Sequence, residues 1–205
     1  MNRLEDSLEK HVPYYLTQDQ KDNLVSALRA FPEKTNYYAS FPEGGILQGD
    51  CFNGVPICKF GSGDVAAVDC VVLSNTCDVD PSNKRPYPAR IIVAPLMPLE
   101  GFRKLLESKS VASNQIESQI DAIKKQAITN VFYLPKGGEL SSDRIARFDD
   151  CYSLPMTVFT NAIESARRLA SLSQIGFYLL TFKLSIHFCR MHEGIQRDAG
   201  NSASL

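Results

Sequence analysis

The sequence predicts an α+β protein built on an antiparallel β-barrel, with helices before, within and after the barrel. The first observation is a pair of apolar runs, residues 65–73 and 90–96, which are rich in Val, Ile and Cys and therefore typical of buried strands. The second is the polar segment between them, whose turn-forming residues join the two strands. The third is the helical spacing of Ile116, Ile120 and Ile123 in the middle of the chain.

Composition restricts the class of protein. The chain has 205 residues, of which 44% are apolar and 22% are charged, so it can bury a substantial core and is not a disordered protein. Its net charge of −1 gives no general attraction to nucleic acid or to anionic membranes, so nucleic-acid binding needs a local basic patch. The longest apolar stretch, residues 175–189, is too short to span a membrane, and we expect no membrane contact.

The amino-terminal residues and the cysteines indicate the compartment. Residues 1–12 are charged throughout, unlike a secretory signal peptide, so we expect a cytoplasmic protein. The six cysteines are then expected to be free thiols, because the cytoplasm is reducing.

Residues 1–45 are predicted to form an N-terminal helical extension. Thr17 and Gln20 form a capping-box pattern, and an apolar stripe at helical spacing follows them. Pro32 comes directly after this stripe and ends the helix, because proline lacks the backbone N–H that a continuing helix needs.

Residues 46–159 are predicted to form the barrel, interrupted by a helical insert at residues 98–130. The insert holds a short helix at residues 99–106 and a longer one that begins at Ser113 or Asn114. The strands of the barrel are expected at residues 55–60, 65–73, 90–96, 131–134, 143–148 and 156–159.

Residues 160–194 are predicted to form a C-terminal pair of helices packed on the barrel. Capping-box patterns begin at Asn161 and at Ser171, and each indicates the start of a helix. Residues 195–205 are polar and small, and we expect them to form a flexible tail.

Short motifs along the barrel resemble a known family. They are GD at 49–50, VVLSN at 71–75, VAPL at 93–96, LP at 134–135 and an acidic segment at 149–154. The series resembles that of the PemK/MazF-like toxins, which are small SH3-like barrels that cleave RNA. Over residues 49–154 the resemblance implies an SH3-like fold, a bacterial source and a toxin–antitoxin or antiviral, phage-defence setting.

Two family positions are occupied by other residues. The family places a catalytic Arg between the opening strand and the VVLSN motif, but residues 48–70 contain no Arg and only one cation, Lys59. The family's catalytic Thr or Ser follows VAPL, where this chain has Met97 and then Pro98. Neither catalytic role is therefore carried over to this sequence.

The segment at residues 74–80 holds the densest group of reactive side chains. Cys77 beside Asp78 is a candidate nucleophile, with Lys59 as a further catalytic candidate. A thiolate needs a basic or cationic partner, and the histidines that are available lie far away in sequence. They are His11, His187 and His192.

The same segment allows two other interpretations. Asp78 and Asp80 are candidate ligands for a divalent cation, together with Asp149 and Asp150. Alternatively, the polar side chains build turns that close a long connection between strands, and we favour this interpretation over catalysis. Ligand binding at the loop is compatible with it, because functional residues concentrate on loops held by rigid strands.

The cysteine spacing does not favour a zinc site. Cys51 and Cys58 are separated by six residues, and so are Cys70 and Cys77, whereas structural zinc sites typically use spacers of about two to four residues. We expect no bound metal and no cofactor.

Two groups of cations are candidate sites for nucleic-acid or other anions. Lys183 and Arg190 lie with His187 on one stripe of the last helix, and the alternative interpretation is a solvated helix face. Lys84 and Arg85 lie close to the central loop, with Arg90 nearby, and form the second group.

These observations predict a binding module of the SH3-like barrel class, whose partner is a protein, RNA or DNA. The first alternative is a divergent PemK/MazF-like endoribonuclease that uses Lys59, Arg85 or Cys77. The second is a metal-dependent hydrolase built on Asp78 and Asp80. The sequence leaves enzymatic activity and oligomeric state open.

Overall fold

Eight strands and five helices form the part of the chain that the computed structural model describes, which comprises residues 36–40, 44–80, 82–165 and 167–189. The predicted helix before residue 36 and the predicted tail at 195–205 lie outside these residues. In chain order the elements are β1 (Tyr38–Ala39), β2 (Cys51–Cys58), β3 (Val65–Val72), α1 (Thr76–Val79), β4 (Arg90–Pro98), α2 (Leu99–Ser108), α3 (Ser113–Lys124), β5 (Val131–Leu134), β6 (Arg144–Arg147), β7 (Tyr152–Pro155), α4 (Met156–Ser165), β8 (Arg168–Leu172) and α5 (Gln174–Cys189).

The strands form one antiparallel sheet that curls into a half-barrel. Its strand order is β1-β8-β2-β3-β4-β6-β5, and β7 pairs with β4 beside this path. The long strand β4 pairs with β7 through residues 90–93, with β3 through residues 93–95 and with β6 through residues 96–98. The predicted α+β class and the antiparallel, curled sheet are confirmed.

The predicted strand at residues 156–159 is wrong, because these residues begin helix α4. Met156, Phe159 and Ile163 recur at helical spacing and pack in one cluster against the sheet. The alternation of apolar and polar residues at the start of this segment also fits a strand, and only the longer period distinguishes the two.

Strand β8 lies where the sequence predicts only helices. It is inserted between β1 and β2, and its central residues Leu169, Ala170 and Ser171 are all buried. A buried strand lacks the alternation of apolar and polar residues that identifies a half-exposed strand, so its pattern resembles that of a buried helix. The two C-terminal helices, α4 and α5, are therefore separated by a strand.

The sheet has an apolar core on each of its faces. In β3, Val71 packs into one core, whereas its neighbours Cys70 and Val72 pack into the other. Helix α5 contributes to the first core, and Phe159 of α4 is fully buried in the second. Burial of such an aromatic side chain stabilises the fold by about 1.5–3 kcal/mol. A third cluster lies under helices α2 and α3 of the insert.

Helix α5 is the longest helix in the described part of the chain, with 16 residues. Its Leu179 and Leu180 are buried in the core that it shares with the sheet. Among the helices described, none combines the length and the apolar character that crossing a membrane requires.

Candidate functional site

The connection at residues 74–80 is held in place by its own polar side chains. Asn75 caps the short helix α1 by accepting the Cys77 N–H at 2.9 Å. Ser74 Oγ accepts the Ile92 N–H at 2.8 Å, and Thr76 Oγ1 accepts a backbone N–H from the residues before β2 at 3.0 Å. These contacts support the interpretation of this segment as a turn-building connection.

The catalytic candidates are not brought together. Cys77 is exposed, and no hydrogen bond or ion pair of the described residues joins its thiol to a basic group. Lys59 lies at the turn between β2 and β3, where its backbone carbonyl accepts two hydrogen bonds of that turn. His187 of α5 contacts the rings of Phe148 and Phe188, at centroid distances of 5.8 Å and 4.7 Å. His11 and His192 lie outside the described residues.

The carboxylates proposed as metal ligands are engaged separately. Asp78 Oδ1 pairs with Arg85 Nη2 at 3.0 Å, and Asp80 Oδ1 accepts a backbone N–H, which lowers the pKa of Asp80. Asp149 pairs with Arg147 at 2.9 Å, and this contact lowers the pKa of Asp149. Across residues 36–40, 44–80, 82–165 and 167–189, no three His, Cys, Asp or Glu side chains are placed to hold a metal ion.

The cysteines of the first two strands behave as apolar residues. Cys51 and Cys70 are fully buried in different cores, one on each face of the sheet. Burial raises the pKa of both thiols, that of Cys70 to about 12, so each stays protonated near neutral pH. Cys58 and Cys77, by contrast, are exposed.

Lys183 is not on the surface, so the helix stripe is not a solvated face at this position. It is 2% exposed, and its Nζ donates to the carbonyl oxygens of Gln126 at 2.9 Å and Ile128 at 2.7 Å. These carbonyls follow the C-terminal end of α3, where a cation is favourable. Burial lowers the pKa of Lys183 to about 7. The sequence signal for the burial of Lys183 was its position four residues after Leu179, a core residue on the same helix face. Arg190, the other predicted cation of this stripe, lies outside the described residues.

Gln126 links this lysine to the outer edge of the sheet. Its side-chain amide donates to Tyr133 O at 2.6 Å and accepts the Tyr133 N–H at 3.1 Å, so it satisfies both backbone groups of an edge residue in β5. The Tyr37 hydroxyl donates to the same carbonyl at 3.0 Å. We refer to Lys183, Gln126 and Tyr133 as the buried junction.

The second cation group lies on the surface. Lys84 and Arg90 are exposed, whereas Arg85 pairs with Asp78 and has only 17% of its side chain exposed. Arg90 Nε and Nη2 donate to Ser153 Oγ at 2.9 Å and to Ser153 O at 2.7 Å, which fixes its guanidinium against β7 and leaves further N–H donors for a ligand. In this group Lys84 and Arg90 are therefore accessible to a ligand, whereas Arg85 is largely covered.

An aromatic side chain between these cations was missed by the sequence analysis. Tyr87 is 63% exposed, and it lies between two prolines, Pro86 and Pro88. The proline rings restrict the backbone on both sides, so the tyrosine is presented on a stiff segment. The signal that pointed to it was this Pro-Tyr-Pro sequence within a run of cations. Apolar Ile92, 44% exposed, follows on β4.

We refer to Lys84, Tyr87, Arg90 and Ile92 as the basic-aromatic surface. The chain that carries it is anchored in the core at both ends. Val79 of α1 is 3% exposed, and Ile91 of β4 is fully buried. Binding side chains that protrude from such anchored loops keep their geometry without rearrangement of the fold.

The buried carboxylate of Asp50 has a structural explanation. Asp50 is fully buried; its Oδ1 accepts the Ser171 hydroxyl, and its Oδ2 accepts the Leu47 N–H at 2.9 Å. Arg168 Nε lies 3.5 Å from the same carboxylate. Burial is the largest influence on Asp50 and raises its pKa. The group joins β2 to β8, and we assign it no chemistry.

Comparison with known proteins does not identify a family for this chain. A scan against protein-family models gives no match, and a search of curated proteins gives no significant match. The resemblance to PemK/MazF-like toxins therefore rests on the short motifs of the barrel.

Proposed function

We propose that this chain is a nucleic-acid-binding module that uses the basic-aromatic surface. The observation that carries the proposal is an exposed tyrosine, Tyr87, which lies in sequence between the exposed cations Lys84 and Arg90 on a loop anchored at both ends. The SH3-like character of the half-barrel, and a bacterial toxin–antitoxin or phage-defence setting, belong to this proposal through the motif resemblance.

The chemistry of the surface supports binding to nucleic acid. Lysine and arginine side chains neutralise phosphates and release bound counterions. An exposed aromatic ring stacks on a base, which contributes about 1–3 kcal/mol for each base. The guanidinium of Arg90 is already oriented by Ser153, so less side-chain freedom is lost when it contacts a phosphate.

The local arrangement compensates for the weak overall charge. The chain has a net charge of −1, so long-range attraction to a polyanion is absent and binding depends on close contacts. Because Arg85 is paired with Asp78, Lys84 and Arg90 are the cations of this segment that are directed to solvent. We therefore expect moderate affinity that falls as salt increases.

Binding is better supported than catalysis. An endoribonuclease needs a nucleophile or general base within hydrogen-bond reach of its partner. In the described part of the chain Cys77 has no such partner, and Lys59 lies on a different turn. The metal-dependent alternative lacks a described group of three ligands.

Fluorescence anisotropy with labelled RNA and DNA oligonucleotides tests the proposal. We expect the wild-type chain to bind, and Lys84→Glu with Arg90→Glu to weaken binding at least tenfold, since each reversal replaces attraction to phosphate by repulsion. The matched control is Lys104→Glu with Lys109→Glu, two exposed lysines on and beside α2. Equal affinity of the two double variants for the oligonucleotides, or no binding by the wild type, contradicts the proposal. Binding of a protein at the same surface would instead support a protein partner.

A further inference from the structure

Two contacts connect the loop that carries Lys84 and Tyr87 to helix α1. Arg85 Nη2 lies 3.0 Å from Asp78 Oδ1, in an ion pair whose arginine is 17% exposed. Asn83 Nδ2 donates to Cys77 O at 3.0 Å. Both contacts join the residues just before the Pro-Tyr-Pro segment to the same short helix.

Helix α1 is itself fixed to the body of the protein. Val79 is buried in a core of the sheet, and Thr76 Oγ1 accepts the Gln48 N–H at 3.0 Å. The Asp78 carboxylate therefore occupies a defined position relative to the sheet. Because the residue before each proline is confined to extended conformations, a fixed Arg85 also sets the direction in which Tyr87 leaves the surface.

We infer that Asp78 and Arg85 are positioning residues for the basic-aromatic surface. They contribute to binding through their ion pair and do not contact the nucleic acid directly. This inference rests on the proposed function. It assigns Arg85 a role different from that of Lys84, its neighbour in sequence, although both are cations.

Simple electrostatics gives the opposite expectation. Asp78 is an acid close to a surface that would meet phosphates, so removing its charge reduces repulsion and strengthens binding. If Asp78 acts as a positioning residue, removing its carboxylate frees Arg85 and the following segment, and binding weakens. The sign of the change in affinity distinguishes the two.

The test compares Asp78→Ala with Asp80→Asn. The second variant removes the same charge two residues away, but its amide oxygen still accepts the Ser82 N–H that Asp80 accepts at 2.8 Å. We expect about threefold weaker binding for Asp78→Ala, the size of an exposed ion pair, and unchanged or tighter binding for Asp80→Asn. Exchanging the charges in Asp78→Arg with Arg85→Asp restores the pair and should restore affinity. Binding by Asp78→Ala at or above the wild-type affinity overturns the inference.

Salt dependence separates positioning from phosphate contact. Lys84→Gln should reduce the slope of log affinity against log salt by about one, because a phosphate contact is lost. Arg85→Gln should lower the affinity and leave the slope unchanged. A slope reduced equally by Arg85→Gln shows that this arginine contacts phosphate, and the inference is then wrong.

A reporter that needs no ligand tests the same ion pair. The chain has no tryptophan, so Tyr87→Trp introduces a single indole on the loop, which can be excited selectively over the tyrosines. Time-resolved anisotropy should show faster local motion of this indole when Asp78→Ala is added than when Asp80→Asn is added. Equal indole motion in the two variants refutes the positioning role. If Asp78→Ala loosens the loop as expected but the chain binds no nucleic acid, only the proposed function is refuted.

Discussion

Lys183 and Lys84 were both candidates for anion binding, yet the fold places them in opposite environments. Lys183 is 2% exposed in the buried junction, where two carbonyl oxygens accept hydrogen bonds from its Nζ. Lys84 is exposed beside Tyr87 in the basic-aromatic surface. The comparison teaches that a lysine's charge alone does not identify a binding site, because the neighbours decide whether the ammonium group meets a ligand or the protein's own backbone.

Charge reversal at the two lysines should give the largest contrast. Lys183→Glu places a carboxylate against two carbonyl oxygens in a buried site, so we expect a loss of about 4 kcal/mol in the free energy of unfolding. Lys84→Glu should change the free energy of unfolding by less than about 0.5 kcal/mol, because its side chain is solvated. Urea denaturation measures both. Similar values for the two variants would show that Lys183 is not confined as described.

The pH dependence of stability sharpens the same contrast. The ordinary lysine pKa of 10.5 falls to about 7 for Lys183 because of burial. Between these values the unfolded chain binds a proton that the folded chain does not, so stability rises as pH increases through this window. Relative to Lys183→Met, the wild type should gain about 1.4 kcal/mol for each pH unit across it. Parallel curves for the two proteins contradict a lowered pKa.

Tyr87 tests the surface side of the comparison. Tyr87→Ala should weaken oligonucleotide binding about tenfold, because stacking on one base contributes about 1–3 kcal/mol, and should leave the melting temperature nearly unchanged. Tyr87→Phe keeps the ring and should bind like the wild type. Anisotropy titrations and thermal unfolding measure the two effects. An equal loss for both variants would indicate that the hydroxyl, and not the ring, makes the contact.

The smallest effect is expected at Cys77. Its thiol is exposed and takes part in no described catalytic contact, so Cys77→Ala should change neither binding nor any RNA turnover. Gel analysis of RNA incubated with both proteins checks this expectation. If the wild type cleaves RNA and Cys77→Ala does not, the endoribonuclease hypothesis is restored. The connection at residues 74–80 would then have a catalytic role in addition to its structural one.

Several elements were predictable because their signals are local. The Ile116, Ile120 and Ile123 period placed helix α3, and all three side chains are buried under the insert. The apolar runs that gave β3 and β4 are equally local, and these strands pair in the sheet. Strand β8 was missed because its three central residues are all buried, so the alternation that identifies a half-exposed strand is absent, and because it pairs with β1 and β2, which are distant in sequence.

Some features of the candidate site could likewise be predicted from local sequence, and others could not. Lys84 and Arg90 were found from sequence because a run of cations is visible there. Tyr87 was not singled out, because the sequence does not record whether its ring is buried or exposed, and the fold leaves it 63% exposed. The pairing of Arg85 with Asp78 depends on how α1 folds back on the following loop, which no periodic pattern records.

The sequence by itself determined the α+β class, the strands with strong apolar runs, the helices of the insert and the position of a polar connection between β3 and β4. These follow from side-chain periodicity and turn propensity, which act over a few residues. Only the tertiary structure decided that Lys183 is buried, that Asp78 pairs with Arg85 and that Tyr87 stays exposed. Burial and pairing depend on which distant segments meet, and that is set when the sheet curls and the helices pack against it.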